Sequence, residues 1–314
     1  MLKKFITLLL SSFFLITGLS LQSCKNDDSA EKEAEEKRLL EQYIVNENIT
    51  AVPTSSGLYY IEEVEGEGFS PSSTDWVEIK FSIRLVSSNQ LVITTDSATA
   101  KNNAIYNSNV LYEPNRTPMS EITLKGLFEG ISKMKAGGIA RVIFPSKLGY
   151  GDKTSGNIPG YSSLIVDIEL VNVITDIVSF ERNKMNAYLV ANNITDPPTS
   201  SGLVYHEILP GDGEPPITGK VVTYNYTGSL LNGKIFDSKS NVTVTIGYQQ
   251  VAVGIEEGLK KMKINGSAKL IIPYDIAFGS GGIYKMVNNQ YYIVVWPYST
   301  VVYDVDITDI QDGI

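Results

Sequence analysis

The stretch VVTYNYTGSLLNGKIFDSKS, residues 221–240, decides how the second half of this chain folds. Tyr224 and Tyr226 alternate with polar residues, and this period of two predicts a half-buried β-strand with its aromatic side chains on one face. The dipeptide Asn232-Gly233 tolerates positive φ and predicts a tight turn. The chain should therefore double back as a hairpin that brings Phe236-Asp237 opposite the tyrosines.

The chain contains two copies of one sequence unit. Asn48-Ile49-Thr50 and the following PTSSGL of residues 53–58 recur 145 residues later, as Asn193-Ile194-Thr195 and residues 198–203. This offset between corresponding residues of the two copies is not constant. It falls to 128 for the pair Gly126 and Gly254, and it is 137 for the pair Asp167 and Asp304. The first copy thus carries 145 − 128 = 17 extra residues in its front half, and the second carries 137 − 128 = 9 extra after Gly279. We expect both insertions to lie on loops, where added length costs little.

Length and composition agree with two soluble globular domains. The 314 residues are 43% apolar and 19% charged, which argues against long disordered regions. The net charge of −9 and a pI near 4.8 argue against nucleic acid as a partner, because nucleic-acid binding needs a basic face.

Each copy predicts several strands and one short helix. Leu127, Ile131 and Met134 are spaced as one face of a helix, and so are Ile255, Leu259 and Met262. Alternating strands end the copies, at residues 164–170 and 301–307. The fold class is therefore α+β. A connecting helix is predicted over Ile177–Asn192, which packs on a neighbouring domain through Met185, Tyr188 and Leu189.

The second copy resembles the FKBP-type peptidyl-prolyl isomerases. The motifs that carry the resemblance are Tyr226-Thr227-Gly228, Asn232-Gly233, Phe236-Asp237-Ser238, Ile246-Gly247, residues 253–262, Gly266, Ala277-Phe278-Gly279, Pro297 and residues 302–305. The resemblance implies two tandem FKBP-like domains, each an antiparallel sheet curled around one short helix. We place domain 1 at residues 53–175 and domain 2 at 199–314, joined by the connecting helix within 176–198.

The resemblance also implies a prolyl-bond isomerisation site in domain 2. Its implied catalytic residues are Tyr226, Phe236 and Asp237, and its implied substrate-binding residues are Val251, Ala252, Ile255, Phe278, Val295 and Tyr303. Such a reaction uses no cofactor and no metal. Its substrates would be proline-containing exported polypeptides.

Both copies depart from the family pattern. In domain 2, Ile255 stands where the pocket floor usually has Trp, and Phe278 stands where a Tyr hydroxyl is usual, so weaker or altered turnover is expected. In domain 1, Phe81 replaces the first Tyr, Val166 replaces Tyr303, and no Phe-Asp pair follows Leu85. Leu124, Leu127, Tyr150 and Ile158 match the pocket positions of its back half. Domain 1 is therefore expected to be inactive and to bind peptide or serve a structural role.

The N-terminus resembles a bacterial lipoprotein signal. Lys3 and Lys4 precede an apolar run, and the sole cysteine, Cys24, follows Leu21-Gln22-Ser23. The prediction is a signal peptide over residues 1–23, lipidation of Cys24, and a charged tether with a short helix over 24–52. An uncleaved membrane helix is the alternative. The expected location is the outer membrane, facing the periplasm or the cell surface, with the lipid as the membrane contact.

Other catalytic constellations have little support. A Ser-His-Asp triad would have to use His206, the only histidine of the chain. This residue is predicted on an edge strand at the start of the second copy, which does not favour a catalytic role. The spacing of Asp304, Asp306 and Asp309 is not that of a calcium loop, and residues 279–282 lack the context of a phosphate loop.

Two hypotheses of function remain open from the sequence. In the first, domain 2 isomerises prolyl bonds during the folding of exported proteins. In the second, both domains are non-catalytic modules that bind a protein through the pocket or through the inserted loop around Tyr284, Tyr291, Tyr292 and Trp296, since aromatic residues are enriched at interface hot spots.

Overall fold

The computed structural model describes residues 24–288 and 290–313. The first half consists of α1 (Cys24–Asn46), β1 (Tyr59–Val64), β2 (Trp76–Leu85), β3 (Leu91–Thr94), α2 (Ser97–Asn102), β4 (Asn115–Pro118), α3 (Lys125–Ser132), β5 (Ile139–Phe144) and β6 (Leu164–Ile174). The second half consists of α4 (Ile177–Ala191), β7 (Val204–Leu209), β8 (Val221–Leu230), β9 (Ile235–Thr245), α5 (Val253–Leu259), β10 (Ser267–Ile272), β11 (Ile283–Val287), β12 (Gln290–Val295) and β13 (Val301–Gln311).

Each domain is an antiparallel sheet with one short helix against it. The strand order is β1-β5-β6-β2-β3 in domain 1, with β4 also beside β2, and β7-β10-β13-β8-β9 in domain 2. Ile131 and Met134 are buried in the first core, and Leu259 and Met262 in the second, as the helical spacing predicts. The predicted α+β class, with two tandem domains that each pack an antiparallel sheet against a short helix, is confirmed.

Helices α1 and α4 each pack on the sheet of the domain that follows them. Leu40 of α1 lies against Ile143 and Ile165, and Met185 of α4 lies against Ile271 and Val302. Tyr188 and Leu189 join the second cluster, so α4 packs through the residues that the sequence indicates. The repeated unit therefore includes its preceding helix.

The tether predicted after Cys24 is helical instead. Helix α1 runs without interruption from Cys24 to Asn46. Charged residues one turn apart pair along it, with Asp28–Lys32 at 2.9 Å and Glu35–Arg38 at 2.6 Å. Such pairs stabilise a helix even where apolar residues are scarce, which is why a reading based on apolar spacing alone missed this half of α1.

The 17 extra residues of domain 1 interrupt its edge strand. Thr94 pairs with Ser82 as Ser238 pairs with Thr227, and Asn115 pairs with Ile79 as Val242 pairs with Tyr224. Twenty residues, 95–114, thus replace the three residues 239–241 of continuous strand β9, a difference of 20 − 3 = 17. This segment, called the edge insert below, contains α2.

The extra residues of domain 2 form a two-stranded hairpin. Strands β11 and β12 pair antiparallel, with Tyr284 opposite Ile293 and Met286 opposite Tyr291. The expected loop is therefore ordered as a ribbon, because β-branched and aromatic residues predominate in it and favour paired strands. We call residues 283–295 the hairpin insert.

A buried ion cluster joins domain 1 to α4. Arg116 of β4 lies 2.9 Å from Glu78 and 2.7 Å from Glu181 of α4, with all three side chains at most 10% exposed. Lys184 lies 3.8 Å from both carboxylates. The two positive and two negative side chains neutralise one another at the junction between domain 1 and α4. Each buried charge of the junction therefore has a partner of opposite sign.

The predicted signal peptide, residues 1–23, lies outside the described residues. Within the described part of the chain, no helix has the length and apolar character needed to cross a membrane.

Candidate active site

Predicted site residues from the two strands that flank β8 lie on either side of Gly228, a residue of β8. Asp237 of β9 is its register partner on one side, and Tyr303 of β13 is its partner on the other. A register shift between Gly228 and Ser229 leaves Phe236 in a bulge of β9. Bulges redirect side chains next to functional sites. Here the bulged residue, Phe236, is itself a predicted catalytic residue and lies next to Asp237 on β9.

Gly228 makes room for the aromatic rings on both sides. A Cβ atom at this position would lie 2.9 Å from Cζ of Phe236 and 3.1 Å from Cζ of Tyr303. Because glycine has no side chain, the two rings approach to 5.8 Å between centroids, edge to face. Any larger residue at position 228 would displace one of the rings.

Tyr226 and Asp237 form a hydrogen-bonded pair. The Tyr226 hydroxyl donates to Oδ2 of Asp237 at 2.5 Å, and the backbone N–H of Ser238 donates to Oδ1 at 3.0 Å. Burial raises the pKa of the Tyr226 hydroxyl well above its ordinary value, and the bond to the Asp237 carboxylate raises it further. Tyr226 therefore stays protonated, and Asp237 is held with its side chain 40% exposed beside the aromatic rings.

The remaining predicted residues belong to the same apolar cluster. Phe236 lies 6.0 Å from Phe278 edge to face, and Tyr226 lies 5.3 Å from Tyr303. The cluster also includes Val251, Ala252, Ile255 and Val295. The structure thus brings together every predicted site residue of domain 2.

Val295 does not line an accessible surface as expected. It has no exposed surface at the end of β12, and Ile255 and Tyr303 are only 6% and 4% exposed. Val295 is instead part of the buried core cluster that also contains Tyr303. The surface open to a ligand comes from Tyr226, Phe236, Asp237, Val251, Ala252 and Phe278, which are all half-buried.

Glu256 is a positioning residue that the sequence reasoning missed. It is buried at the start of α5 and accepts hydrogen bonds from the backbone N–H groups of Gly247 and Gln249 and from Lys260. The Lys260 hydrogen bond lowers the pKa of the Glu256 carboxyl below its usual range. These bonds fix the turn that leads into Val251 and Ala252. The signal was a Glu in the first turn of a predicted helix.

Domain 1 fills the same place with aliphatic side chains. Ile83 stands in the position of Gly228, and Val92-Ile93 stand in the positions of Phe236-Asp237, as the strand registers show. Phe81 and Val166 replace the two tyrosines, and Leu124, Leu127, Tyr150 and Ile158 pack around them in the first core. The equivalent of the Tyr226–Asp237 bond cannot form there.

The residues set aside on sequence grounds have structural partners. His206 lies on edge strand β7, with Nδ1 2.6 Å from Asp196. Asp304 pairs with Lys269 across neighbouring strands, and Gly279–Gly282 lead into β11. No group of three or more His, Cys, Asp or Glu side chains that could hold a metal ion occurs among the residues that the structure describes.

The fold and this cluster define a protein of the FKBP class, and comparison with known proteins places the chain in that family. The model of the FKBP-type peptidyl-prolyl cis-trans isomerase family matches residues 70–171 and 213–308, more than half of the chain. The chain therefore belongs to this family, with two matching domains.

Several relatives are similar to parts of the chain. Bovine peptidyl-prolyl cis-trans isomerase FKBP9 is 25% identical over 211 residues, 65% of this chain and 32% of FKBP9. FkpA of Escherichia coli K12, also named as an FKBP-type peptidyl-prolyl cis-trans isomerase, is 35% identical over 115 residues, 36% of this chain and 39% of FkpA. The matches thus span about a third of these relatives' lengths.

Solved structures of the same family also match. The crystal structure of E. coli FkpA is 29% identical with a TM-score of 0.37, over 44% of this chain and 62% of that one. The three FKBP domains of wheat FKBP73 are 22% identical with a TM-score of 0.32, over 82% of this chain and 95% of that one.

Proposed function

We propose that domain 2 catalyses cis/trans isomerisation of prolyl bonds in exported polypeptides, and that domain 1 does not. The observation that carries the proposal is the Tyr226–Asp237 pair at the edge of an aromatic cluster, in the one domain where Gly228 leaves space for it. Family membership supports the reaction class.

The reaction needs no covalent step. Its barrier of about 18–20 kcal/mol comes from loss of amide resonance as the bond twists. A site lowers this barrier if it binds the twisted amide better than either planar form. The planar amide is the more polar form, so the rings of Phe236, Phe278 and Tyr226 disfavour it by excluding water from the bond.

Asp237 supplies the matching electrostatic contribution. When the amide twists, the nitrogen no longer donates electron density to the carbonyl, so the carbonyl carbon becomes electron-poor. The negative charge of the Asp237 carboxylate stabilises the partial positive charge on that carbon. Because Tyr226 and the Ser238 N–H already hold the carboxylate in place, it does not reorganise during the reaction. Tyr226 therefore acts by holding Asp237 in place.

Capture of unfolded polypeptide is the second candidate function. The hairpin insert exposes Tyr284, Met286 and Tyr291, which are 53%, 60% and 74% exposed. Such a group of exposed apolar side chains is typical of a binding surface. Tyr292 and Trp296, which the sequence placed on the same surface, instead lie toward domain 1, where Tyr292 bonds with Asn107.

We further propose that a lipid on Cys24 holds the protein at the outer membrane. Support comes from the sequence around Cys24, and α1 would then begin at the lipidated residue. In a Gram-negative host, the wild-type chain should partition with membranes, and Cys24→Ala should be released. Equal membrane partitioning of both would reject the lipid anchor.

The test of catalysis is prolyl exchange in a short peptide, measured by NMR with the full chain. The wild type should accelerate exchange, and Asp237→Ala should reduce the rate at least tenfold. Ile93→Ala, at the equivalent position of domain 1, is the matched control and should leave the rate unchanged. Acceleration that survives Asp237→Ala would reject the assignment. Peptide binding without acceleration by the wild type would favour the binding-module function.

A further inference from the structure

The two inserts of the chain meet beside the domain 2 site. The edge insert leaves the first sheet between β3 and β4 and crosses to domain 2. There the Asn107 side-chain amide donates to the Tyr292 hydroxyl of the hairpin insert at 3.1 Å. Glu113 lies 3.9 Å from Lys234, which follows the β8–β9 turn. Two segments that lie 185 residues apart in sequence, measured between Asn107 and Tyr292, therefore form one surface.

The edge insert also contributes an apolar residue to the second domain. Leu111 packs against the domain 2 core cluster, the same cluster that contains Phe236 and Phe278. This contact is specific to the insert, because the corresponding part of domain 2 is the continuous strand β9. Domain 1 thus takes part in the surroundings of the domain 2 site although its own site is filled.

A cavity of about 180 Å³ lies where the inserts meet. Its apolar lining is Val110 and Leu111 of the edge insert, Ile235 and Phe236 of β9, and Ile293 and Val294 of the hairpin insert. Phe236 is the shared element, since the same ring also contacts Tyr303 and Phe278 of the site. A volume equal to roughly six waters is enough for one apolar side chain.

We propose that this cavity binds the apolar side chain of a residue flanking the target proline, so that domain 1 sets part of the sequence preference of domain 2. The proposal rests on the isomerase function proposed above. Because Phe236 lines the cavity and also contacts Phe278 of the site, a proline bound on these two rings would place a flanking residue near the cavity. Lysines 234 and 285 also line it, so an acidic flanking residue is the competing ligand that the experiment must include.

The experiment compares peptides that differ beside the proline. Leu, Ala and Glu are placed in turn before and after the proline, and kcat/KM and affinity are measured for each peptide with the full chain. On one side of the proline the wild type should prefer Leu to Ala by about tenfold, as expected for partial burial of a leucine side chain. Leu111→Ala should reduce this ratio to about threefold or less while the Ala peptide is turned over as before.

Two further variants separate a binding cavity from a merely structural contact. Val110→Phe fills the cavity from the edge insert and should remove the Leu preference without loosening the insert. Tyr106→Ala is the matched control, because this exposed residue of the same insert stacks on Tyr112 within domain 1. It should keep the wild-type ratio. An unchanged Leu/Ala ratio in both Leu111→Ala and Val110→Phe would overturn the proposal, as would a preference for Glu.

The outcome does not depend on turnover. If the wild type binds peptides without accelerating exchange, the isomerase proposal fails, and the affinity ratios still test the cavity with the same variants. If exchange is accelerated and depends on Asp237, but the ratios do not change in the variants, the cavity proposal fails alone.

Discussion

In both domains, the preceding helix is held by a buried glutamate at the same position of the repeat. Glu36 of α1 accepts hydrogen bonds from Ser146 and Ser163, and Glu181 of α4, 145 residues later, accepts one from the Thr300 backbone N–H. A second scaffold bond recurs in the same way, from Ser56 to Glu129 at 2.7 Å and from Ser201 to Glu257 at 2.5 Å.

The site residues do not recur. Gly228 of domain 2 corresponds to Ile83 of domain 1, and the Phe236-Asp237 pair corresponds to Val92-Ile93. Glu256, which fixes the turn before α5, corresponds to Phe128. The two domains therefore share what holds the fold and differ in what would act on a substrate. This contrast supports the proposed roles of Tyr226, Gly228, Asp237 and Glu256 in domain 2, because the same scaffold forms without them in domain 1.

The largest expected effect concerns the one scaffold glutamate that also joins the domains. Glu181→Ala removes one of the two carboxylates that neutralise Arg116 and Lys184. Glu78 then faces both cations alone, one positive charge is uncompensated, and the free energy of unfolding should fall by about 3–5 kcal/mol. Glu36→Ala leaves hydrogen-bond donors but no buried charge unpaired, so it should cost about 1–3 kcal/mol. Chemical denaturation measures both. Equal losses would show that the Arg116 cluster adds nothing to the junction.

Importing the domain 1 residue at the centre of the site should abolish most of the proposed activity. Gly228→Ile places a side chain where Phe236 and Tyr303 now approach each other, and the rings must separate. We expect a loss of about 1–3 kcal/mol in stability from overpacking, and prolyl exchange reduced by at least tenfold. Ile83→Val, at the same position of domain 1, should leave exchange unchanged. Full activity in Gly228→Ile would separate catalysis from the ring cluster.

A milder exchange tests the role of the tyrosine. Tyr226→Phe imports Phe81 and removes the hydroxyl that holds Asp237, without changing the ring. The loss of one hydrogen bond to a carboxylate should slow prolyl exchange by about tenfold, with little change in peptide affinity. Tyr284→Phe on the hairpin insert serves as the control. A fall in affinity alone would indicate that Tyr226 binds substrate directly.

The smallest effect should appear at alkaline pH. Burial raises the pKa of the Tyr226 and Tyr303 hydroxyls above the unfolded value of about 10, so the folded state keeps these protons longer than the unfolded state does. Their contribution is therefore fully present below about pH 10 and is lost as the pH rises further. Denaturation curves between pH 9 and pH 11 should show stability falling, with a shallower fall in Tyr226→Phe. An identical slope in wild type and variant would contradict this.

The sequence predicted the repeat from its recurring motifs, and the fold class from the spacing of apolar residues within strands and helices. The site residues were predicted from the FKBP resemblance, and the structure places them in one cluster in which Val295 is fully buried. Gly228 appeared only as part of a motif. Its importance depends on two rings from neighbouring strands, and strand register cannot be read from residue types alone. The helical first half of α1 was missed because its stabilising contacts are between charged side chains.

The contact between the edge insert and the hairpin insert could not be predicted from the sequence, for a different reason. Changes of offset placed the first insertion in the front half of domain 1 and the second after Gly279, and both were expected to lie on loops. Which residues an inserted loop contacts depends on how the two domains are placed relative to each other, and the Arg116 cluster helps to fix that placement. Leu111 and Phe236 are far apart in sequence, and no pattern within either segment connects them.

The measurement that tests the central claim most directly is a titration of the ¹⁵N-labelled full chain with a proline-containing peptide, followed by amide chemical shifts. If domain 2 alone holds the prolyl site, the largest shifts will fall on Phe236, Asp237, Val251 and Ala252, with smaller shifts at residues 107–111 of the edge insert. Shifts that centre on Val92, Ile93 and Leu124 would place the site in domain 1 and contradict the account.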